Sequence, residues 1–189
     1  SDNPVVDAGA GEVLPTGAYY AAELALACET VSRAMLSLAM AQVARIVKLL
    51  DPRLSDLPPF LARPATDSNG FAPLMKTAEA LVAEIAHAAQ PPAIWPSLNA
   101  LGVEDTLSTG PVAARALGEV AEHAARLAAL ELIVAAQAVD LRGCAPTLGP
   151  VMAECYARVR ALSPPLGEDR PLSDDLDRVT QAVLADDFA

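Results

Sequence analysis

Aromatic side chains are scarce in this sequence: they make up 4% of 189 residues, whereas 53% of the chain is hydrophobic. Alanine and leucine fill the long runs instead. Both lose little rotamer freedom in a helix, so the composition argues against a sheet protein and for an all-α, long-helix bundle. Histidine is also rare, with two residues. The three cysteines, Cys28, Cys144 and Cys155, have neither CxxC spacing nor a histidine pair nearby. That pattern reads as reduced thiols in a cytoplasmic protein, and no metal site is expected. Basic residues are outnumbered, 13 Lys and Arg against 24 Asp and Glu, for a formal net charge of −11. Such a chain repels phosphate backbones and anionic lipid, so neither nucleic acid nor membrane is expected as a partner. The opening "SDNPVVDAGAGEV" lacks the basic start and apolar core of a secretory signal and the Arg-rich amphipathic pattern of a transit peptide.

What the sequence does contain is helix after helix. Residues 1–189 suit one helical unit, since the length does not comfortably hold two independent cores. The stretch through Gly17, with Pro4, Pro15 and several glycines, reads as loop or extended chain. A helix from about Tyr19 to Leu50 is apolar on most faces and stops at Asp51-Pro52, because proline disfavours helix at the preceding residue. The following "DPRLSDLPPFLARPATDSNG" carries four prolines in a long loop, unusual unless it has a task or packs on a partner. A second helix spans about Phe71 to Gln90. Next comes "PPAIWPSLNALG", a proline-broken connection with Trp95. A central helix then begins near Pro111, with Gly110 as its cap, and ends at "RGCAP" after Leu141. At about 1.5 Å per residue it exceeds the diameter of a small domain, as in bundles shared between subunits. Glu131 and Gln137 interrupt its apolar run "LAALELIVAAQAV", which falls short of the roughly 20 residues of a membrane span. Shorter helices are expected from Leu148 to Leu162 and from Ser173 to Asp187, the latter with Ser173 as N-cap and Asp174 and Asp175 in its first turn.

Few of these residues form a recognisable reaction centre. There is no GxSxG elbow and no phosphate-cradling glycine loop. His87 and His123 are far apart and each lacks a paired ligand or nucleophile, so a solvent-facing or satisfied histidine is the plainer reading. Glu104 and Asp105 precede Pro111 by six to seven residues. They either favour the helix macrodipole or act as functional acids, and spacing alone does not decide. Tyr19 and Tyr20 open the first long helix, where a phenol packs in the core or takes an acid/base or stacking role.

Five segments in register carry more: "DNPVV" at Asp2, "LDPRLSDLPPFL" at Leu50, "DSNGF" at Asp67, "VEDTLSTGPVAAR" at Val103 and "LAALELIVAAQAVDLR" at Leu127. Together they resemble the C-terminal half of the aromatic amino acid ammonia-lyases, nearest to the histidine-type enzymes, from Ser1 to about Arg142. The resemblance implies a helical homotetramer whose long helices form a shared bundle and whose active sites each draw on three subunits. It also implies elimination of ammonia from an aromatic amino acid to give an α,β-unsaturated acid. In that family a methylidene-imidazolone electrophile forms from an Ala-Ser-Gly triplet. This chain contains no such triplet. The resemblance therefore makes it a fragment of a larger lyase, lacking the electrophile-bearing half and inactive alone.

Two site residues are carried over. Glu104 resembles the family carboxylate near the substrate, leaving Asp105 a structural acid, and Tyr19 stands where a phenylalanine packs near the electrophile. Around them Val103 replaces a glutamine and Thr106 a histidine, while Ala18 and Ala21 replace asparagine and glycine. Losing these polar groups puts histidine as substrate in question and leaves a divergent lyase, an aminomutase or an inactive paralogue open. The alternative function is a non-catalytic helical oligomerisation module, which needs only the apolar pattern.

Overall fold

In the computed structural model the described residues are 5–14, 21–64, 66–91 and 108–188. Among them are a β-hairpin and six α-helices. Strands β1 (Val5–Asp7) and β2 (Glu12–Leu14) pair antiparallel, with Val6 opposite Val13. Asp7 makes the turn by accepting the N–H groups of Gly9 and Ala10 at 2.9 and 3.0 Å, a local competition that Asp side chains offer the backbone.

The first long helix, α1 (Ala22–Leu50), ends as its sequence dictates. Asp51 turns extended (ψ 113) ahead of Pro52, and its carboxylate then accepts from the Arg53 N–H at 2.9 Å, capping the one-turn helix α2 (Pro52–Ser55). A 3₁₀ turn at Pro59–Leu61 leads to α3 (Ala72–Ala88). The central helix α4 (Gly110–Arg142) carries Pro111 in its first turn and stops at Gly143. That glycine is left-handed (φ 65), and the N–H groups of Gly143 and Cys144 bond back to the carbonyls of Asp140 and Val139. Two shorter helices close the chain, α5 (Pro150–Leu162) and α6 (Ser173–Leu184). Two expected caps shift by one residue: Thr109 rather than Gly110 caps α4, and Leu172 rather than Ser173 caps α6, where the Ser173 side chain makes no cap bond. In each case the backbone turns helical at the named residue itself.

Helices α1 and α4 lie side by side and parallel. Near their N-termini Ala25 and Cys28 pack with Ala113 and Leu117. Further along, Arg45 pairs with Glu131, and Arg142 at the end of α4 donates to the Ser55 carbonyl just past α1. Helix α3 starts at this far end, where the Phe71 N–H donates to the Phe60 carbonyl at 2.8 Å, and packs back along both. The core forms in the middle. Ile46, Ile85, Leu127, Leu130 and Val134 are fully buried there, with Val179 of α6 closing one side. Burying each such side chain contributes about 1.5–3 kcal/mol.

Gln137, an interruption in the apolar run, is completely buried. Its amide accepts the Leu166 N–H at 3.0 Å and donates to the carbonyls of Leu166 and Leu61 at 2.9 and 3.4 Å. One side chain thus joins α4, the proline-rich loop and the strap between α5 and α6, each polar atom satisfied as burial requires. Glu131, the other interruption, lies at the rim in its pair with Arg45.

Candidate active site

Parallel packing brings the N-terminal ends of α1 and α4 together at one end of the bundle. Ala21 sits at the cap of α1 in the left-handed region (φ 47, ψ 35), which side chains with a Cβ seldom adopt. Its carbonyl accepts the Ala25 N–H at 3.3 Å. Gly110, the first residue of α4, lies against it: a Cβ there would come to 3.9 Å from the Ala21 oxygen and 3.9 Å from the Leu24 side chain. Small residues at both helix starts let the two backbones approach closely. Each N-terminus also directs its first-turn N–H groups and a partial positive charge toward the same end.

The two site residues named from sequence, Tyr19 and Glu104, lie outside the described residues, as do Asp105, Val103, Thr106, Tyr20 and Trp95. Their nearest described neighbours are the residues that converge: Tyr19 precedes Ala21 by two positions and Glu104 precedes Ser108 by four. The histidines are scattered, with His87 exposed on α3 and His123 half-buried on α4. Neither imidazole enters a hydrogen bond or ion pair among the described residues. All three cysteines are free, and burial raises the Cys155 thiol despite the nearby Arg158 charge. No cluster of metal-ligating side chains occurs among the described residues.

The opposite end of the bundle holds polar networks that periodicity does not reveal. Asp169, in the strap between α5 and α6, accepts from the Ser68 hydroxyl at 2.5 Å, the Asn69 N–H at 2.9 Å and the Gly70 N–H at 3.2 Å. These bonds, the Ser68 hydroxyl foremost, hold its carboxyl below the usual range. Asp175, read from sequence as a dipole-favoured acid, accepts from Ser163 at 2.8 Å, Arg170 at 2.7 Å and Arg178 at 2.6 Å. Burial works against its charge, but these hydrogen bonds and the two guanidinium charges outweigh burial and keep its pKa low. Tyr156 donates to Asp140, which also pairs with Arg160 at 2.7 Å. The Asp169 contacts span 99 to 101 residues, a separation that no local motif carries, whereas those of Asp175 span 3 to 12.

A family model described as aromatic amino acid lyase matches residues 1–161. The chain belongs to the aromatic amino acid lyase family. The lyase chain is 38% identical over 185 residues to a histidine ammonia-lyase of Anaeromyxobacter sp. (strain K), covering 97% of this chain and 36% of that protein. It superposes on the crystal structure of histidine ammonia-lyase from Trypanosoma cruzi with a TM-score of 0.88 at 31% identity, covering 99% of this chain and 37% of that one. The tyrosine aminomutase of Streptomyces globisporus gives the same TM-score at 32% identity, covering 99% of this chain and 36% of that one. The chain thus spans about a third of the length of the relatives it matches. Since a lyase and an aminomutase fit this helical frame equally well, the frame does not by itself choose between their reactions.

Proposed function

We propose that these residues are the C-terminal, bundle-forming part of a carbon–nitrogen lyase that eliminates ammonia from an aromatic amino acid to give an α,β-unsaturated acid. Glu104 serves as the active-site acid and Tyr19 packs against the substrate. The observation that carries this reading is the meeting of the α1 and α4 starts, with Ala21 against Gly110, at the end to which both residues are tethered. At no more than about 3.6 Å per residue, two residues reach about 7 Å and four about 14 Å, so the chain allows both side chains to serve one site. The electrophile of this family requires an Ala-Ser-Gly triplet that this chain lacks. The residues here therefore do not fit that group, and a separate portion of the enzyme has to bring it.

Helix α1 supports assembly with further copies. Leu24, Val31 and Leu38 recur every seven residues and are 56%, 47% and 54% exposed, each followed three residues on by an exposed alanine, Ala27, Ala34 and Ala41. This is the spacing of a helix-packing seam, and it favours a homodimer or homotetramer. By length and composition alone α1 could also cross a membrane. The exposed Arg33 in its middle argues for a protein neighbour instead, since an arginine at a bilayer centre costs about 3 kcal/mol on insertion scales. An acidic chain with free thiols suits the cytoplasm.

The test supplies the missing part. Co-expressed with an Ala-Ser-Gly-bearing portion of a histidine ammonia-lyase, the chain is expected to restore elimination, read as ultraviolet absorbance of the conjugated acid. No product from histidine, phenylalanine or tyrosine would overturn the proposal. The second reading, a non-catalytic oligomerisation module, draws on the same exposed α1 face. Glu104→Gln separates the two, because it abolishes product only if Glu104 acts on the substrate.

A further inference from the structure

Three asparagines occur in the sequence, and Asn69 alone is followed by glycine. An Asn-Gly pair is chemically fragile because glycine carries no side chain to shield its nitrogen from the neighbouring amide carbon. Here the pair lies in the turn before α3, with Asn69 exposed and Gly70 buried. The Gly70 N–H is engaged twice, by the Ser68 hydroxyl at 3.0 Å and the Asp169 carboxylate at 3.2 Å. Gly70 is left-handed (φ 56), and a Cβ there would come to 2.5 Å from the Phe60 oxygen and 2.8 Å from the Ala62 nitrogen. The backbone therefore has little room to swing.

We propose that Asn69 is a latent deamidation site, guarded by the Asp169 clasp, whose conversion releases the strap between α5 and α6 from the head of α3. In the first step the Gly70 nitrogen bonds to the Asn69 Cγ, and ammonia leaves with the proton that nitrogen carried, closing a succinimide ring. Water then opens the ring at either carbonyl, giving aspartate or isoaspartate at position 69. The attack requires the Gly70 nitrogen to give up its proton. Asp169 opposes this by accepting that N–H and by placing negative charge where an amide anion would form.

The product is incompatible with the clasp. A carboxylate at position 69 takes the place of an amide that hydrogen-bonds the Asp169 carboxylate, and two like charges there repel. Isoaspartate also inserts a methylene into a main chain already packed against Phe60. In either case the contacts that fix Ser68, Asn69 and Gly70 to the strap are lost.

Peptide mapping by mass spectrometry of the folded chain, aged at mildly alkaline pH, tests the proposal, with the chain in urea as reference and Asn99 as internal control. Conversion at Asn69 is expected to be slow in the folded chain and fast in urea. Asp169→Asn is expected to accelerate it about tenfold in the folded chain, a change of about 1.4 kcal/mol in barrier, with Asn99 unchanged. Should Asp169→Asn not fold, Ser68→Ala removes the other acceptor of the Gly70 N–H and is expected to accelerate conversion several-fold. Equal rates in parent and variant, or equal rates folded and in urea, would overturn the guarding role. Asn69→Asp is expected to speed amide exchange at Gly70 and Phe71, and unchanged exchange there would overturn the release.

Discussion

Helices α1 and α4 are alike in length and composition, 29 and 33 residues rich in alanine and leucine, and lie parallel to each other. Their surroundings differ. In the second half of α4, Leu127, Ala129, Leu130, Ile133, Val134, Ala136 and Ala138 are all buried, so α3, α6 and α1 cover nearly its whole circumference. On α1 one stripe is buried, through Ala25, Ala39 and Ile46, and Leu24, Val31, Leu38 and Met40 face outward. A helix apolar on all sides is written for neighbours on all sides. In α4 the described residues supply them, whereas on α1 they leave one apolar face uncovered. The same composition thus encodes a core in one helix and an exposed apolar face in the other.

That contrast sets expected effects on stability, the largest inside α4. Leu127→Ala removes a fully buried side chain at the centre of the core and is expected to cost about 2–5 kcal/mol in urea unfolding. Gln137→Leu keeps the volume but strips the Leu166 N–H and carbonyl of their partner. Its expected cost is about 2 kcal/mol, the penalty for orphaned buried groups. A neutral result would mean that the strap re-pairs its backbone without α4.

Asp175→Asn is expected to cost about 1.5 kcal/mol at neutral pH, the worth of hydrogen bonds to a charged group. Its pH dependence has a definite sign. Folding depresses the Asp175 pKa, so its contribution is complete above the ordinary carboxylate value of about 3.9 and disappears as pH falls through the lower folded value. The gap between parent and variant in thermal unfolding should therefore be widest near neutrality and close in acid. A gap that persists in acid would mean that Asp175 acts through packing rather than charge.

How much of this was legible in the sequence follows the range of the interactions. The ends of α1 and α4 were readable because Asp51-Pro52 and Gly143 act on their own backbone. The hairpin at Val5–Leu14 looks like loop in sequence, because its strands have three residues each and its turn depends on the Asp7 side chain. Four prolines mark the loop after α1 as unusual, yet the contacts that hold it leave no local signal. Gln137 reaches Leu61 across 76 residues and Asp169 reaches Ser68 across 101, and periodicity carries no information at that distance. Of the proposed site, Tyr19 and Glu104 rest on family likeness alone and lie outside the described residues, and the fold adds the meeting of the α1 and α4 starts at Ala21 and Gly110.

The smallest expected effect tests the comparison most directly. Leu38 is 54% exposed on the outward face of α1. In dilute solution, where the chain is monomeric, Leu38→Ser is expected to change unfolding free energy by no more than about 0.5 kcal/mol, as for surface sites without special contacts. At high concentration the parent should gain stability by mass action, because association through α1 favours the folded form. The variant should lose that gain, so its unfolding midpoint becomes independent of concentration. A parent midpoint that is itself independent of concentration would mean that the outward face of α1 does not pair copies of this chain. The exposed leucines of α1 would then need a partner other than a second copy of this chain.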